Sequence, residues 1–203
     1  MPTFFRSRLF LVVGLLPAVA SGQSAPRDTT PFHRGQWGAQ FGTGFAFASL
    51  GFLRFTTPTR AWLLDVRVNG GHSHERYYQS DTVVSDGYSS SAFLSARVGR
   101  RFYQARGATI ASFQTVGVVG GYTHQCSGST GAPSYCDNGW TAGAFAELGA
   151  AYLVNSRLSL GGAATASFAY ERTNGHDGGG SRTTRWQYSG SLQGFSLAAT
   201  VYF

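Results

Sequence analysis

The residues able to do chemistry in this 203-residue chain are few and fall into three groups. The first is a set of single charges, Arg54, Asp65, Arg67, Arg97, Arg101 and Glu147, each set among small or apolar residues. Charges so placed suit mutual ion pairing, since an isolated ion in an apolar setting is costly. The second is histidine with carboxylate: His72-Ser73-His74-Glu75, His124 and His176-Asp177. These could hold a metal only if segments 71–89 and 173–185 met in space. The third is Cys126 and Cys136, ten residues apart amid Ser, Gly, Thr, Pro and Asn. In an exported protein two cysteines in one segment read as a disulfide clip, worth about 2–3 kcal/mol through its small ring. Nothing in the chain forms a cofactor motif, and two cysteines alone make no zinc site.

What positions these groups is an alternation of period two. In Gly194–Phe203, Phe195, Leu197, Ala199, Val201 and Phe203 share one parity, and Ser196, Ala198, Thr200 and Tyr202 the other. That is a strand with one apolar face and one wetter face. Similar stretches lie near 36–46, 48–56, 61–70, 90–103, 109–123, 140–154, 158–171 and 186–203. Short connections at 57–60, 104–108 and 155–157 alternate with long ones at 71–89, 124–139 and 173–185. Eight strands with strictly alternating short turns and long loops are the organisation of a membrane-spanning β-barrel.

The parity repeats from strand to strand. Trp62, Leu64, Val66 and Val68 would face out, and Leu63, Asp65, Arg67 and Asn69 in. Leu94, Ala96 and Val98 oppose Ser95, Arg97, Gly99 and Arg101. Ala144, Ala146 and Leu148 oppose Phe145 and Glu147. Residues 109–123 are ambiguous, because Val116 and Val118 share the parity of Gln114. The less apolar face is mostly Gly, Ser, Ala and Thr, which fits a packed lumen better than a water-facing surface. Aromatics gather at strand ends: Trp37, Trp62, Phe102, Tyr103, Tyr152 and Tyr202 at one rim, Tyr122, Trp140, Tyr170, Trp186 and Tyr188 at the other. Such a double girdle suits two bilayer interfaces.

Residues 1–20 carry Arg6 and Arg8, an apolar run from Leu9 to Leu16, and Ala18-Val19-Ala20. This is the pattern of a secretory signal peptide cut before Ser21, and its apolar run is too short for a transmembrane helix. Residues 21–35 then read as a polar periplasmic lead-in, and 36–203 as the barrel. All sixteen basic residues are Arg, and the formal net charge is +7. Apart from Arg100-Arg101 they are scattered, so no basic stripe of the kind that tracks nucleic acid is present. A basic exported protein could instead touch anionic lipopolysaccharide.

The strand ending on Phe203 resembles the closing strand of bacterial outer-membrane barrels. With the signal peptide, strand count and girdles, the chain resembles the small eight-stranded OmpA/OmpX-type membrane domains. The resemblance implies an all-β, antiparallel up-and-down barrel in the bacterial outer membrane, with Phe203 read as an assembly signal by the barrel-assembly machinery. It implies a structural, adhesive or surface-binding role, with any external ligand at 71–89, 124–139 or 173–185. The inward charges Arg54, Asp65, Arg67, Arg97, Arg101 and Glu147 would then be a plug of ion pairs filling the lumen, or alternatively the gate of a narrow pore. Some small barrels modify lipids with a His and a Ser, but neither His72 with Ser73 nor His124 with Ser127 forms a recognisable motif. The expectation is therefore not an enzyme.

Overall fold

A computed structural model describes residues 31–44, 47–79, 82–105, 109–129, 134–177 and 180–203. The proposed signal peptide lies outside them. Eight strands run in chain order: β1 (Trp37–Gly44), β2 (Phe47–Thr57), β3 (Arg60–Gln79), β4 (Thr82–Ala105), β5 (Ile110–Ser129), β6 (Tyr135–Asn155), β7 (Leu158–Asp177) and β8 (Arg182–Tyr202). Each pairs antiparallel with its neighbours, and β1 pairs with β8 to close the barrel. Closure leaves no open strand edge at that level, as a bilayer requires.

The solvent pattern is inverted relative to a water-soluble protein. Phe41, Phe52, Leu64, Val98, Leu148, Phe168 and Leu197 are exposed on the outer wall, whereas Asp65, Arg97 and Glu147 are 0%, 4% and 3% exposed inside. An apolar belt of this extent needs an apolar solvent. The ambiguous stretch in β5 resolves the same way: Gln114, Val116 and Val118 face out, and Phe113 and Thr115 face in. In β8 the ladder skips Gly194, pairing Ala164 with Phe195 and Thr165 with Gln193. This bulge brings Trp186, Tyr188 and Leu192, of opposite parity to Phe195, onto the same outer face.

The segments expected as long loops at 71–89, 124–139 and 173–185 are mostly strand among the described residues. The β3–β4 ladder continues to Gln79↔Thr82, β5–β6 to Ser127↔Tyr135, and β7–β8 to His176↔Arg182. Twenty residues of β3 give about 50 Å of height at the usual tilt, while the eight residues of β1 give about 20 Å. Six strands therefore extend well past the level at which β1 ends. Above Val68, β3 pairs only with β4, and above Phe195, β8 pairs only with β7, among the described residues.

Cys126 and Cys136 are directly opposed in the β5–β6 ladder and form a disulfide. The clip thus staples a raised hairpin from within its strands, not from a loop beyond them.

Candidate functional site: the lumen

The lumen is built in layers, and strand register sets each one. At the end with the short turns Phe32, Phe55, Tyr103 and Tyr202 meet face and edge, with ring centroids 4.6 Å apart for Phe32–Phe55, 4.8 Å for Phe32–Tyr103 and 5.3 Å for Phe32–Tyr202. Leu53, Leu63, Phe113 and Leu153 complete this buried apolar floor. Phe32 precedes β1, so part of the segment expected as a polar lead-in folds back into the barrel mouth. Tyr103 and Tyr202, expected at the membrane rim, point inward instead, and Tyr202 lies 3.0 Å from Ser159 Oγ. Trp37, Trp62, Phe102 and Tyr152 remain on the outer wall, where the girdle requires them.

The charged layer sits on this floor. Asp65 stands opposite Arg97 in the β3–β4 ladder, and Gly51 stands opposite Asp65, so no side chain crowds the carboxylate from that strand. Arg101, Thr115, Glu147 and Thr165 form a second row across β4 to β7. Barrel shear brings the two rows to one level. Arg97 donates from Nε and Nη2 to Asp65 Oδ2 at 2.8 and 2.5 Å, and Arg67 Nε donates to the same oxygen at 3.1 Å. Arg97 Nη1 also reaches Glu147 Oε2 at 3.5 Å. Arg101 Nη2 donates to Glu147 Oε1 at 2.6 Å, Nη1 to Gln40 Oε1 and Nε to Thr115 Oγ1, each at 2.9 Å. Thr115 and Thr165 hydroxyls donate to the two Glu147 oxygens at 3.2 and 3.5 Å. Guanidinium faces are used as well: Arg67 lies 4.4 Å from the Phe47 ring, Arg97 4.8 Å from Phe145 and Arg101 4.1 Å from Phe113. Cation–π contacts of this kind gain strength when water is excluded.

The structure thus brings Asp65, Arg67, Arg97, Arg101 and Glu147 together, and it does not bring Arg54. Leu53 and Phe55 take the inward positions of β2, which puts Arg54 on the outer wall, 5.2 Å over the Trp37 ring. Apolar residues on both parities of 52–55 hide the phase in the sequence. At the rim, a long Arg stem can lie along apolar surface while its head reaches water. Gln40, Thr115 and Thr165 carry ordinary lumen-facing parity and are identified as network members only once register places them beside Arg101 and Glu147.

The histidines do not converge. His74 pairs with Asp86 across the β3–β4 hairpin, and His124 Nδ1 is 2.7 Å from Asn138 Oδ1. No group of three or more metal-ligating side chains occurs among the described residues.

Above the charged layer a cavity of about 270 Å³ opens between Phe47, Asn69, Phe93, Phe145, Glu171 and Ser191, with Arg67 and Arg97 in its wall. A second, of about 240 Å³, shares Phe93, Thr141 and Glu171 with it and continues upward past Asp137 and Arg185. The lumen is a cup, with its floor toward the short turns.

No protein-family model and no curated protein matches this chain. Among solved structures it is similar to a major outer membrane protein from Thermus thermophilus, at TM-score 0.55 and 14% identity over 84% of this chain and 100% of that one. Acinetobacter baumannii CarO2 aligns at TM-score 0.40 and 10% identity over 83% of this chain and 98% of that one. Ail, the attachment invasion locus protein of Yersinia pestis, aligns at 0.33 and 11% over 84% and 99%. The last two scores are too low to carry an argument. Layered lumen, apolar outer wall and the first of these likenesses agree: the chain has the fold of a small outer-membrane β-barrel.

Proposed function

We propose that this chain resides in the outer membrane as a closed, non-conducting barrel, and that it serves a structural, adhesive or surface-binding role through its raised outer strands. The observation that carries this reading is the double closure of the lumen. An aromatic floor around Phe32 and Phe55 lies beneath an ion-paired layer around Asp65 and Glu147. A pore would need a continuous wet path, and here two barriers lie in series. The chemistry on offer to a partner is at the opposite end, on β3–β8 above the membrane. Contact with lipopolysaccharide at that face, and recognition of the strand ending in Phe203 by the assembly machinery, belong to the same reading.

Orientation tests it. Gln79→Cys sits at the tip of the β3–β4 hairpin, and Ser156→Cys in the short turn between β6 and β7. In intact cells a membrane-impermeant maleimide should label the first and not the second. Labelling of Ser156→Cys alone would invert the barrel and remove the outer strands from the cell surface.

A further inference from the structure

The two cavities over the charged layer join, since Phe93, Thr141 and Glu171 line both. At about 270 and 240 Å³ they together reach the size of small-molecule sites, roughly 300–1,000 Å³. Their charge is balanced. The layer and the two chambers hold four guanidiniums, Arg67, Arg97, Arg101 and Arg185, and four carboxylates, Asp65, Asp137, Glu147 and Glu171. A charged ligand would upset that balance in a confined space, and a neutral one would not.

What remains on offer is hydrogen-bonding capacity and one aromatic face. The Asn69, Gln125 and Thr141 side chains line the chambers and have no protein partner among the described residues. Glu171 takes Gln187 Nε2 on one oxygen at 2.7 Å and Ser189 Oγ on the other at 3.3 Å. Its orientation is thereby fixed, and each oxygen keeps a lone pair for a further donor. Phe47 and Phe145 already carry the guanidiniums of Arg67 and Arg97. Phe93 carries neither ring nor cation among the described residues. The chambers also lie where the wall is interrupted. The last β1–β2 pair is Gly44↔Phe47, the last β2–β3 pair Ala48↔Val68 and the last β1–β8 pair Thr43↔Leu197. Phe47, Asn69 and Ser191, at or just past those ends, line the lower chamber.

We infer that the joined chambers bind a neutral saccharide unit carried on a longer glycan, whose chain leaves through the gap between β3 and β8. The apolar face of the sugar ring packs on Phe93 and its hydroxyls donate to Glu171. Asn69, Gln125 and Thr141 take the remaining hydroxyls. This deepens the surface-binding role proposed above and rests on the outward orientation of the tall strands.

The test uses refolded full-length barrel in a phosphocholine detergent, which carries no sugar to compete. Glucose, galactose and mannose are the probes, read by saturation-transfer NMR and calorimetric titration. At least one should bind, and its uronate and 2-amino counterparts should bind about tenfold more weakly. A trisaccharide ending in that hexose should bind at least as tightly as the free sugar. Phe93→Ala and Glu171→Gln should each weaken binding about tenfold while keeping heat-modifiable migration. If neither refolds, Asn69→Ala on the exposed edge of β3 decides, and it too should weaken binding. Failure of all three hexoses to bind, equal binding of the charged counterparts, exclusion of the trisaccharide, or unchanged affinity in the variants overturns the proposal. Displacement of the hexose by purified lipopolysaccharide identifies a membrane neighbour as the glycan's source, and no displacement an external one; the saccharide site stands in both cases. A barrel labelled at Gln79→Cys from outside that binds no sugar overturns this site and leaves the surface-binding reading standing. An inverted barrel overturns both.

Discussion

Glu147 holds the charged layer together, because it is the acceptor shared by Arg97, Arg101, Thr115 and Thr165. Glu147→Ala leaves buried guanidinium charge uncompensated and should cost about 3–5 kcal/mol, read as a lower urea midpoint of unfolding. Glu147→Gln keeps shape and some acceptor capacity and should cost less. Equal midpoints for wild type and Glu147→Ala would mean that the layer carries no stability. Glu147→Ala alone should not open a conducting path, since the Phe32–Phe55–Tyr202 floor lies beneath it. Arg54 is the internal control. It lies on the outer wall over Trp37, so Arg54→Ala should cost under about 1 kcal/mol in the same unfolding experiment. A loss as large as that of Glu147→Ala would place Arg54 in the network after all.

At the scale of elements, the disulfide is confined to the raised part of β5 and β6. Replacing both Cys126 and Cys136 by Ser should leave the thermal unfolding of the barrel nearly unchanged and make the hairpin tip cut faster by an added protease. Thiol labelling of both positions in unreduced native protein would rule the bridge out. Within the membrane, small residues permit close packing. Gly99 and Gly117 are opposed across β4–β5, and a Cβ on Gly117 would strike Val98 O, the Gly99 backbone and the Phe145 ring. Gly117→Val should therefore impair refolding.

The membrane-crossing halves of the strands were legible because lipid outside and lumen inside impose opposite demands on successive residues, as in 61–68 and 144–148. The upper halves were not. Above the bilayer both faces are wet, so 71–79 and 173–177 carry Ser, Thr, His and Gly without period and read as loop. The aromatic floor was missed for a related reason. Tyr103 and Tyr202 sit at strand ends whether they face lipid or lumen, and only their register with Phe32 and Phe55 tells the two apart. Asp65, Arg67, Arg97, Arg101 and Glu147 could be gathered from parity, because charge on the lumen side of a narrow barrel has few other places to go.

The whole molecule is a closed barrel wall around a floored cup, with six strands taller than the other two, and in the function proposed above that wall is closed to ions. The wall closes where Trp37 N–H donates to Phe203 O and Phe203 N–H to Trp37 O, both at 3.0 Å. Deleting Phe203 removes that pair and the aromatic that follows β8, and the truncated chain should lose heat-modifiable migration and accumulate outside the membrane. The most direct measurement is planar-bilayer recording on the refolded wild-type barrel beside a Phe32→Ala, Phe55→Ala, Glu147→Ala triple variant. The wild type should show no steady conductance, and the triple variant, with both barriers thinned, should conduct. A steady ohmic conductance from the wild type would contradict the closed lumen on which this account rests.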